Sequence, residues 1–256
     1  MCLVVWALAA HPQYRLIVAA NRDEFYARPT EVSKWWADHN NLLAGRDLQG
    51  GGTWMGVTRG GRFAVITNFR DPSSEKKRAT TRGRLVEQFL RSEEAPDIYV
   101  QAVVSQGESY NGFNLIVADP SRMAYVTNTQ PGWSWVEPGI YGLSNHRLDT
   151  PWPKVARTKK RFSEILRSDE PDTNAMMEMM SDRETAPDKD LPVTGVGIEW
   201  ERKLSPVFIQ MPHYGTRTTT IFMEDHTGRC TWIERTWDPI RAQFKLKKDT
   251  WTKMVV

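Results

Sequence analysis

The chain has 256 residues, of which 40% are hydrophobic and 25% are charged, a composition typical of soluble globular proteins. The net charge of +3 is too small to indicate a nucleic-acid-binding surface, and no basic run is interleaved with aromatic residues. The longest apolar run falls far short of the ~20 residues that a membrane-spanning helix needs, so we expect no membrane span.

Strand and helix patterns alternate along the chain. Runs at 2–10 and 14–20 predict a β-hairpin, and runs at 54–58 and 62–69 predict another that turns at Gly60-Gly61. Helical periodicity follows at 81–91 and 95–106. Further strands are predicted at 113–118, 123–127, 133–136 and 140–143, and helices at 153–167 and about 173–181. A polar loop at 181–203 then precedes strands at 214–224, 229–235 and 243–247.

The connections between these strands indicate the fold class. Tight turns join several strand pairs, and only antiparallel partners can use such turns. We therefore predict an α+β fold with two antiparallel sheets between helices, in a single domain spanning 1–256. The basic stretch from Lys154 to Arg161 is interpreted as a solvated helix face.

Cysteine and histidine usage argues against metal chemistry. Cys2 and Cys230 are too few and too far apart to indicate a disulfide framework. No Cys/His cluster has metal-ligand spacing, so we expect no metal site and no resident cofactor. The N-terminal run lacks the basic residues of a signal peptide, and we expect a cytoplasmic protein.

Cys2 is the leading candidate for a reactive group. Cysteine is small enough for methionine aminopeptidase to act before it, and loss of Met1 would give Cys2 a thiol and an α-amine on one residue. An α-amine titrates near about pH 8 and can serve as the base that activates the thiol. The alternative is that Cys2 is a small buried hydrophobic residue of the first strand.

Asn21-Arg22-Asp23-Glu24 stands at the predicted end of the second strand. The hairpin would return this tetrapeptide to the neighbourhood of Cys2. Asp23 is then placed to accept a hydrogen bond from the α-ammonium group and hold it as a base. A charged strand-to-loop turn is the alternative interpretation.

Two asparagines at predicted strand ends are candidate oxyanion donors. We assign this role to the Asn145 amide, with a backbone N–H near Asn68 as the second donor. The alternative is that both asparagines cap turns. His146 suggests a Cys–His dyad, which we rank below the α-amine as the base.

Arg217 lies among short polar residues in the run 214–220. A guanidinium there would stabilise a thiolate or bind a substrate carboxylate, and an ordinary ion pair is an equal alternative. We also predict substrate contacts for Asn21, Arg22, Trp54 and His146.

Together these motifs resemble a known family. The chain resembles the NRDE family, that of transport and Golgi organisation protein 2, in four segments. These are the start at 1–5, Asn21-Arg22-Asp23-Glu24 with the following 25–29, Gly45-Arg46-Asp47 and Gly52-Thr53-Trp54. The resemblance covers essentially the whole chain.

More distantly, the layout is similar to the cysteine N-terminal-nucleophile hydrolases, such as penicillin V acylase and bile salt hydrolase. That resemblance implies a four-layer αββα sandwich, with a nucleophile at Cys2, an aspartate at Asp23, an oxyanion donor at Asn145 and an arginine at Arg217.

One position departs from the acylase pattern. The acylases usually carry an arginine three residues before the aspartate, where this chain has Ala20. Arg22 is adjacent to Asp23 and would point elsewhere on an extended strand. The acyltransferase branch also lacks that arginine and has an Asn-x-Asp pattern, which Asn21-Arg22-Asp23 matches.

Two functional hypotheses follow. The first is an amidohydrolase or acyltransferase that acts on a small-molecule acyl-amide C–N bond through Cys2. The second is a non-catalytic protein that binds and traffics haem, lipid or acyl-CoA, roles associated with the family. Its Trp- and Met-rich pocket would hold the haem or acyl chain, and Cys2 would be a haem or metal ligand or a core residue. The oligomeric state stays open.

Overall fold

The computed structural model of the chain describes residues 2–75 and 80–254, so Met1, whose removal is predicted above, lies outside the described residues. The strands are β1 (Cys2–Leu8), β2 (Tyr14–Phe25), β3 (Thr30–Trp36), β4 (His39–Asp47), β5 (Met55–Thr58), β6 (Phe63–Asn68), β7 (Phe113–Ala118), β8 (Met123–Thr127), β9 (Trp133–Trp135), β10 (Gly139–Leu143), β11 (Tyr214–Asp225), β12 (Arg229–Asp238) and β13 (Gln243–Thr252). The α-helices are α1 (Gly83–Arg91), α2 (Pro96–Gln106), α3 (Pro153–Ile165), α4 (Thr173–Met179) and α5 (Ile198–Leu204). Within the described ranges, none of these helices is long and apolar enough to cross a bilayer.

The chain divides into two compact units. The first unit comprises the residues up to Ala27 together with Pro138–Trp251, and the second comprises Arg28–Glu137 and the chain end from Thr252. The prediction of a single domain over 1–256 stays a prediction.

The first unit is built on a six-stranded sheet in the order β10-β1-β2-β11-β12-β13. Successive side chains of a strand point to opposite faces. The odd-numbered residues of β1 therefore share one face, and that face packs against α3 and α4. Buried members of this core include Leu3, Val5, Ile17, Ala19, Phe162, Met176, Met179, Ile221 and Met223.

The second unit is built on a seven-stranded sheet in which β3 to β9 follow one another in chain order. All of its recorded strand pairs are antiparallel. Its core lies where α1 and α2 cover the sheet, and includes Trp36, Leu42, Leu85, Phe89, Val100, Phe113 and Leu115. Gly52 has a φ of +71°, and a Cβ there would lie 2.4 Å from the Gly83 backbone, so this close approach of two backbone segments requires glycine.

The predicted α+β class with two antiparallel sheets is confirmed, and four elements correct the details. The strands β3 and β4 were not predicted, and α5 occupies the end of the predicted loop at 181–203. The second strand continues to Phe25 rather than ending at Ala20, because β11 pairs with it as far as Phe25 and Tyr214. The NRDE tetrapeptide is therefore strand rather than turn.

The predicted solvated face of α3 is wrong for its first lysine. Lys154 is buried, and its Nζ donates to the Leu204 carbonyl oxygen at 3.0 Å. Arg157 keeps a partly exposed ion pair with Asp182 at 2.7 Å. Helix α3 therefore uses its basic residues to hold the 182–204 segment as well as to face solvent.

Candidate active site

Cys2 begins β1 and lies inside the first unit's sheet, with β10 on one side and β2 on the other. It pairs directly with Arg22 of β2 and is partly exposed. Directly opposed residues of an antiparallel pair share a face, so the Arg22 and Cys2 side chains lie on the same side of the sheet. Arg22 does point away from Asp23, as predicted, and the face it occupies is the face of the cysteine.

The surroundings of the thiol push its pKa in opposite directions. Burial raises the pKa of Cys2 and is the largest effect, and the nearby Asp23 carboxylate raises it further. The Arg22 guanidinium and the backbone N–H of Asp23, which donates to the sulfur, lower the pKa. The net shift is upward, so this thiol needs a base before it becomes a nucleophile.

Asp23 is fixed by the neighbouring strand. Its side chain is buried, and its Oδ1 accepts a hydrogen bond from Thr216 Oγ1 at 2.6 Å. The same hydroxyl oxygen accepts from the Ile209 N–H at 2.9 Å. Sequence analysis did not select Thr216. The threonines on both sides of Arg217 are the feature of the sequence that could have indicated it.

A β-bulge on β11 stands beside the tetrapeptide. Thr216 pairs with Asp23 and Thr218 with Arg22, which leaves Arg217 as the extra residue. One guanidinium nitrogen of Arg217 donates to the Phe25 carbonyl oxygen at 3.4 Å. The structure therefore brings Arg217 to the NRDE segment, and its role toward a thiolate or a carboxylate stays a prediction.

Asn145 is fully buried and reaches the Cys2 end of β1. The ladder between β1 and β10 ends with Val4 opposite Leu143, two residues before Asn145, and residues 144–147 form bends. The Ser144 hydroxyl lies 3.1 Å from the Cys2 carbonyl oxygen and 3.3 Å from Asn145 Oδ1. The one hydroxyl proton can be donated to only one of these oxygens at a time, and the donor atom of the Asn145 amide is Nδ2. Sequence analysis did not select Ser144.

Asn21 points to the other face of β2. Its Nδ2 donates to the carbonyl oxygens of Met180 at 2.8 Å and Val207 at 2.9 Å, and its Oδ1 accepts from Thr219 Oγ1 at 2.8 Å. These bonds attach the tetrapeptide to the layer that contains α4. The predicted substrate contact of Asn21 stays a prediction, and the structure gives it a positioning task.

His146 follows Asn145 on the loop after β10. Its Nδ1 lies 2.9 Å from Thr150 Oγ1, and burial together with the Arg147 cation lowers its pKa. Asp149 holds this loop, since its Oδ1 accepts from the Gly142 N–H at 2.8 Å and from Lys159 Nζ at 2.7 Å. A Cys–His dyad receives no support from these contacts.

Asn68 and Trp54 belong to the second unit. Asn68 ends β6 and pairs with Phe113. The Trp54 ring packs against the second unit's core, and a Cβ on Gly45 would lie 2.2 Å from its Cη2 atom. The structure therefore gives Trp54 a packing role, and the predicted roles of both residues in catalysis or binding stay predictions.

The first unit thus gathers a thiol, a cation, a carboxylate and a carboxamide at one end of its sheet. Cys2 and Arg22 face each other, Asp23 is buried beside them, and Asn145 reaches the same strand end. Such a set has the parts for nucleophilic attack and for hydrogen bonding to a developing oxyanion. Across residues 2–75 and 80–254, no three His, Cys, Asp or Glu side chains are grouped to hold a metal ion.

Comparison with known proteins identifies the fold and the family of the chain. Among solved structures, the C2A variant of conjugated bile acid hydrolase from Clostridium perfringens has a TM-score of 0.51 at 9% identity, covering 98% of this chain and 97% of that chain. This likeness shows the fold, which is that of the N-terminal-nucleophile hydrolases.

Sequence relatives are more specific. A profile described as Transport and Golgi organisation 2 matches residues 1–239. The Transport and Golgi organization protein 2 homolog of Homo sapiens is 36% identical over 256 residues, with 92% of each chain covered. The homolog of Bos taurus is 35% identical over 96% of this chain and 100% of its own length. The match along nearly the whole chain confirms the resemblance, and this chain belongs to the Transport and Golgi organisation 2 family.

Proposed function

We propose that the chain is an N-terminal-cysteine amidohydrolase or acyltransferase that acts on a linear, non-peptide acyl-amide C–N bond. Cys2 is the nucleophile once Met1 has been removed. The observation that carries the proposal is the convergence of Cys2, Arg22, Asp23 and Asn145 at one end of the first unit's sheet. The fold neighbour, itself a conjugated bile acid hydrolase, supports the same class.

Each residue has a defined part in the proposed reaction. The α-amine of Cys2 takes the thiol proton, and the resulting thiolate attacks the acyl carbon. The Asn145 amide donates to the oxyanion, an interaction that in enzyme active sites is worth about 3 kcal/mol in the transition state. The leaving amine takes its proton from the α-ammonium group. Water or another acceptor then cleaves the thioester and returns the thiol.

Arg22, opposite Cys2, takes the place of the arginine that the acylases carry where this chain has Ala20. Arg22 shares the face of the sulfur and lowers the pKa of the thiol. It therefore supplies positive charge beside the nucleophile from two positions further along β2. Asp23 positions the α-ammonium group, while Thr216 holds its carboxylate.

The test joins mass spectrometry with a substrate screen. We expect the purified protein to lack Met1 and to react once, at Cys2, with an acylating thiol reagent near neutral pH. We expect it to release 4-nitroaniline from members of a series of N-acyl 4-nitroanilides of increasing chain length. Cys2→Ala abolishes both reactions, because no second thiol can take over the attack.

Cys230 provides the matched control. It is fully buried on β12, so Cys230→Ala should leave labelling and turnover near the unmodified level. Retained turnover in Cys2→Ala would exclude the proposed nucleophile. Retained Met1, with Cys2 no more reactive than Cys230, would favour the binding hypothesis, and haem and acyl-CoA titrations would then follow.

A further inference from the structure

A second concave site lies within the first unit, apart from Cys2. It is a pocket of about 620 Å³, in the size range of cavities that hold small organic ligands. Its lining includes two cations, Arg183 and Lys203, and an apolar wall made by Tyr26, Phe208, Met211 and Trp237.

Neither cation is neutralised by a neighbouring acid. Arg183 stands between Asp182 and Glu184 in the chain, yet both carboxylates are directed to Arg157, at 2.7 and 3.5 Å. Arg183 instead lies over the Phe208 ring, 5.2 Å from its centroid, and Lys203 lies 6.0 Å from the Trp200 ring. In the described part of the chain, no carboxylate lies within ion-pair distance of Arg183 or Lys203. Positive charge at the rim of an apolar pocket favours an anionic ligand.

The wall is held by packing and is largely preformed. Phe208 meets Trp237 edge to face at 6.1 Å, and Trp237 meets Phe244 at 4.8 Å. The Phe208 N–H donates to the Asp182 carbonyl oxygen at 2.7 Å, which attaches the wall to the segment carrying Arg183. Phe208 is 1% and Trp237 is 7% exposed, so the rings offer the pocket a small part of their surface, and this apolar lining favours an apolar ligand body.

Tyr26 lines the pocket with its ring, since its hydroxyl oxygen is buried beside β11. Burial raises the pKa of its hydroxyl, the Asp23 carboxylate raises it further, and the hydroxyl therefore stays protonated near neutral pH. The hydroxyl oxygen would lie 2.4 Å from a Cβ on Gly215, so it sits against β11 beside the residue that binds Asp23.

The geometry points to a binding site for an organic anion that carries an apolar body, held by Arg183 and Lys203 at its charged end and by Phe208, Trp237 and Met211 along its body. This site does not depend on the chemistry proposed for Cys2.

Pyrenebutyrate is a suitable probe, because its anionic carboxylate follows a flat apolar ring system and its fluorescence is excited by energy transfer from tryptophan. We expect saturable binding with a dissociation constant below about 100 µM. The neutral alcohol pyrenebutanol should bind at least about fivefold more weakly, since it lacks the charge. Arg183→Gln and Lys203→Gln should each weaken pyrenebutyrate binding about fivefold and leave pyrenebutanol binding unchanged.

Two further variants control for location and for general charge. Thr185 is an exposed lining residue, and Thr185→Trp should fill the pocket and remove binding. Arg167 is an exposed cation of the same unit outside the lining, and Arg167→Gln should leave the dissociation constant unchanged. Circular dichroism melting checks that every variant is folded, and Cys2→Ala should bind the probe like the unmodified chain.

Three results would overturn the inference. Absence of saturable pyrenebutyrate binding would show that no such site exists. Equal binding of the alcohol and the anion would remove the anion requirement. Unchanged binding in folded Thr185→Trp would place the probe elsewhere on the surface.

Discussion

The two units bury different kinds of side chain. Among the described residues, 2–75 and 80–254, the first unit buries six charged side chains and the second unit buries one, Arg70. The six are Arg22, Asp23, Lys154, Glu201, Glu224 and Glu234. Two interior strands show the contrast. The second unit's β7 has one polar side chain, Asn114, while β2 buries three consecutive polar residues, Asn21, Arg22 and Asp23.

This difference indicates that the apolar strand β7 serves stability, whereas the polar end of β2 serves the candidate site. A buried charge destabilises the fold unless it is paired and hydrogen-bonded, so an apolar strand such as β7 is the more stabilising choice. The first unit compensates with contacts such as the two bonds of 2.6 Å from Arg15 to Glu224. We infer that Arg22 and Asp23, the two buried charges that act on the Cys2 thiol, are kept for that electrostatic effect rather than for stability.

The largest expected effect compares the two buried asparagines. Asn21→Ala leaves the Met180 and Val207 carbonyl oxygens without their side-chain donor, and we expect it to lower the free energy of unfolding by about 3 kcal/mol. Urea denaturation followed by tryptophan fluorescence measures this loss.

Asn114→Ala in the second unit is the matched control. Its partners are the hydroxyls of Thr67 and Tyr125, which can rotate to other acceptors or donors, so we expect a smaller loss of about 1.5 kcal/mol. Equal decreases in the free energy of unfolding would show that Asn21 stabilises the fold no more than Asn114 does.

The second prediction concerns the thiol. Because Arg22 lowers and Asp23 raises the pKa of Cys2, their neutral variants should move thiol reactivity in opposite directions. At pH 7, Arg22→Gln should slow iodoacetamide labelling of Cys2 about threefold to tenfold, and Asp23→Asn should accelerate it. Labelling rates across a pH series measure the shift, and movement of both profiles in the same direction would contradict the electrostatic account.

The smallest effect is expected at a carboxylate of the second unit. Burial opposes ionisation of Asp47, but the Gly50 N–H and Arg28 lower its pKa below the ordinary value. Its stabilising contribution is therefore present above the unfolded pKa and is lost as the pH falls through the folded one. Asp47→Asn should cost about 1 kcal/mol at pH 7, and the difference from the unmodified chain should shrink below about pH 4. A constant difference from pH 7 to pH 3 would contradict this sign.

Much of the fold was predictable, because most elements follow regular periodicity. The exceptions have physical causes. The pair β3 and β4 contains two register shifts, at Glu31/Lys34 and Trp35/Trp36, which break the alternation that marks a strand. Helix α5 has seven residues, too few for a clear helical period. The end of β2 reads as a turn because its residues are charged, and β11, the strand that pairs with it as far as Phe25, lies far along the chain.

The site was predictable where it lies close to a motif. Cys2, Asp23 and Asn145 were selected from the chain start, the tetrapeptide and a strand end, and the structure brings them to one end of a sheet. Thr216 lies 193 residues from Asp23 in the chain, so no local pattern connects them. Arg22 was placed correctly on the opposite face from Asp23, but the sequence alone does not show that Cys2 is on that face.

The bulge at Arg217 shifts the register of β11, so the side chains before the bulge and those after it are directed to the faces of the sheet independently of each other. On an unbroken strand Thr216 and Thr218 would point the same way, but here they pair with Asp23 and Arg22, which point to opposite faces. Beyond the bulge, Ile221 and Met223 keep their places in the core. Point substitutions at residues 214–216, beside Asp23, therefore leave the facing of Ile221 and Met223 unchanged. Loss of a single residue at the bulge would instead exchange the two faces of the sheet for all side chains on one side of it. Insertions and deletions, more than substitutions, should be rare at this position in homologous chains.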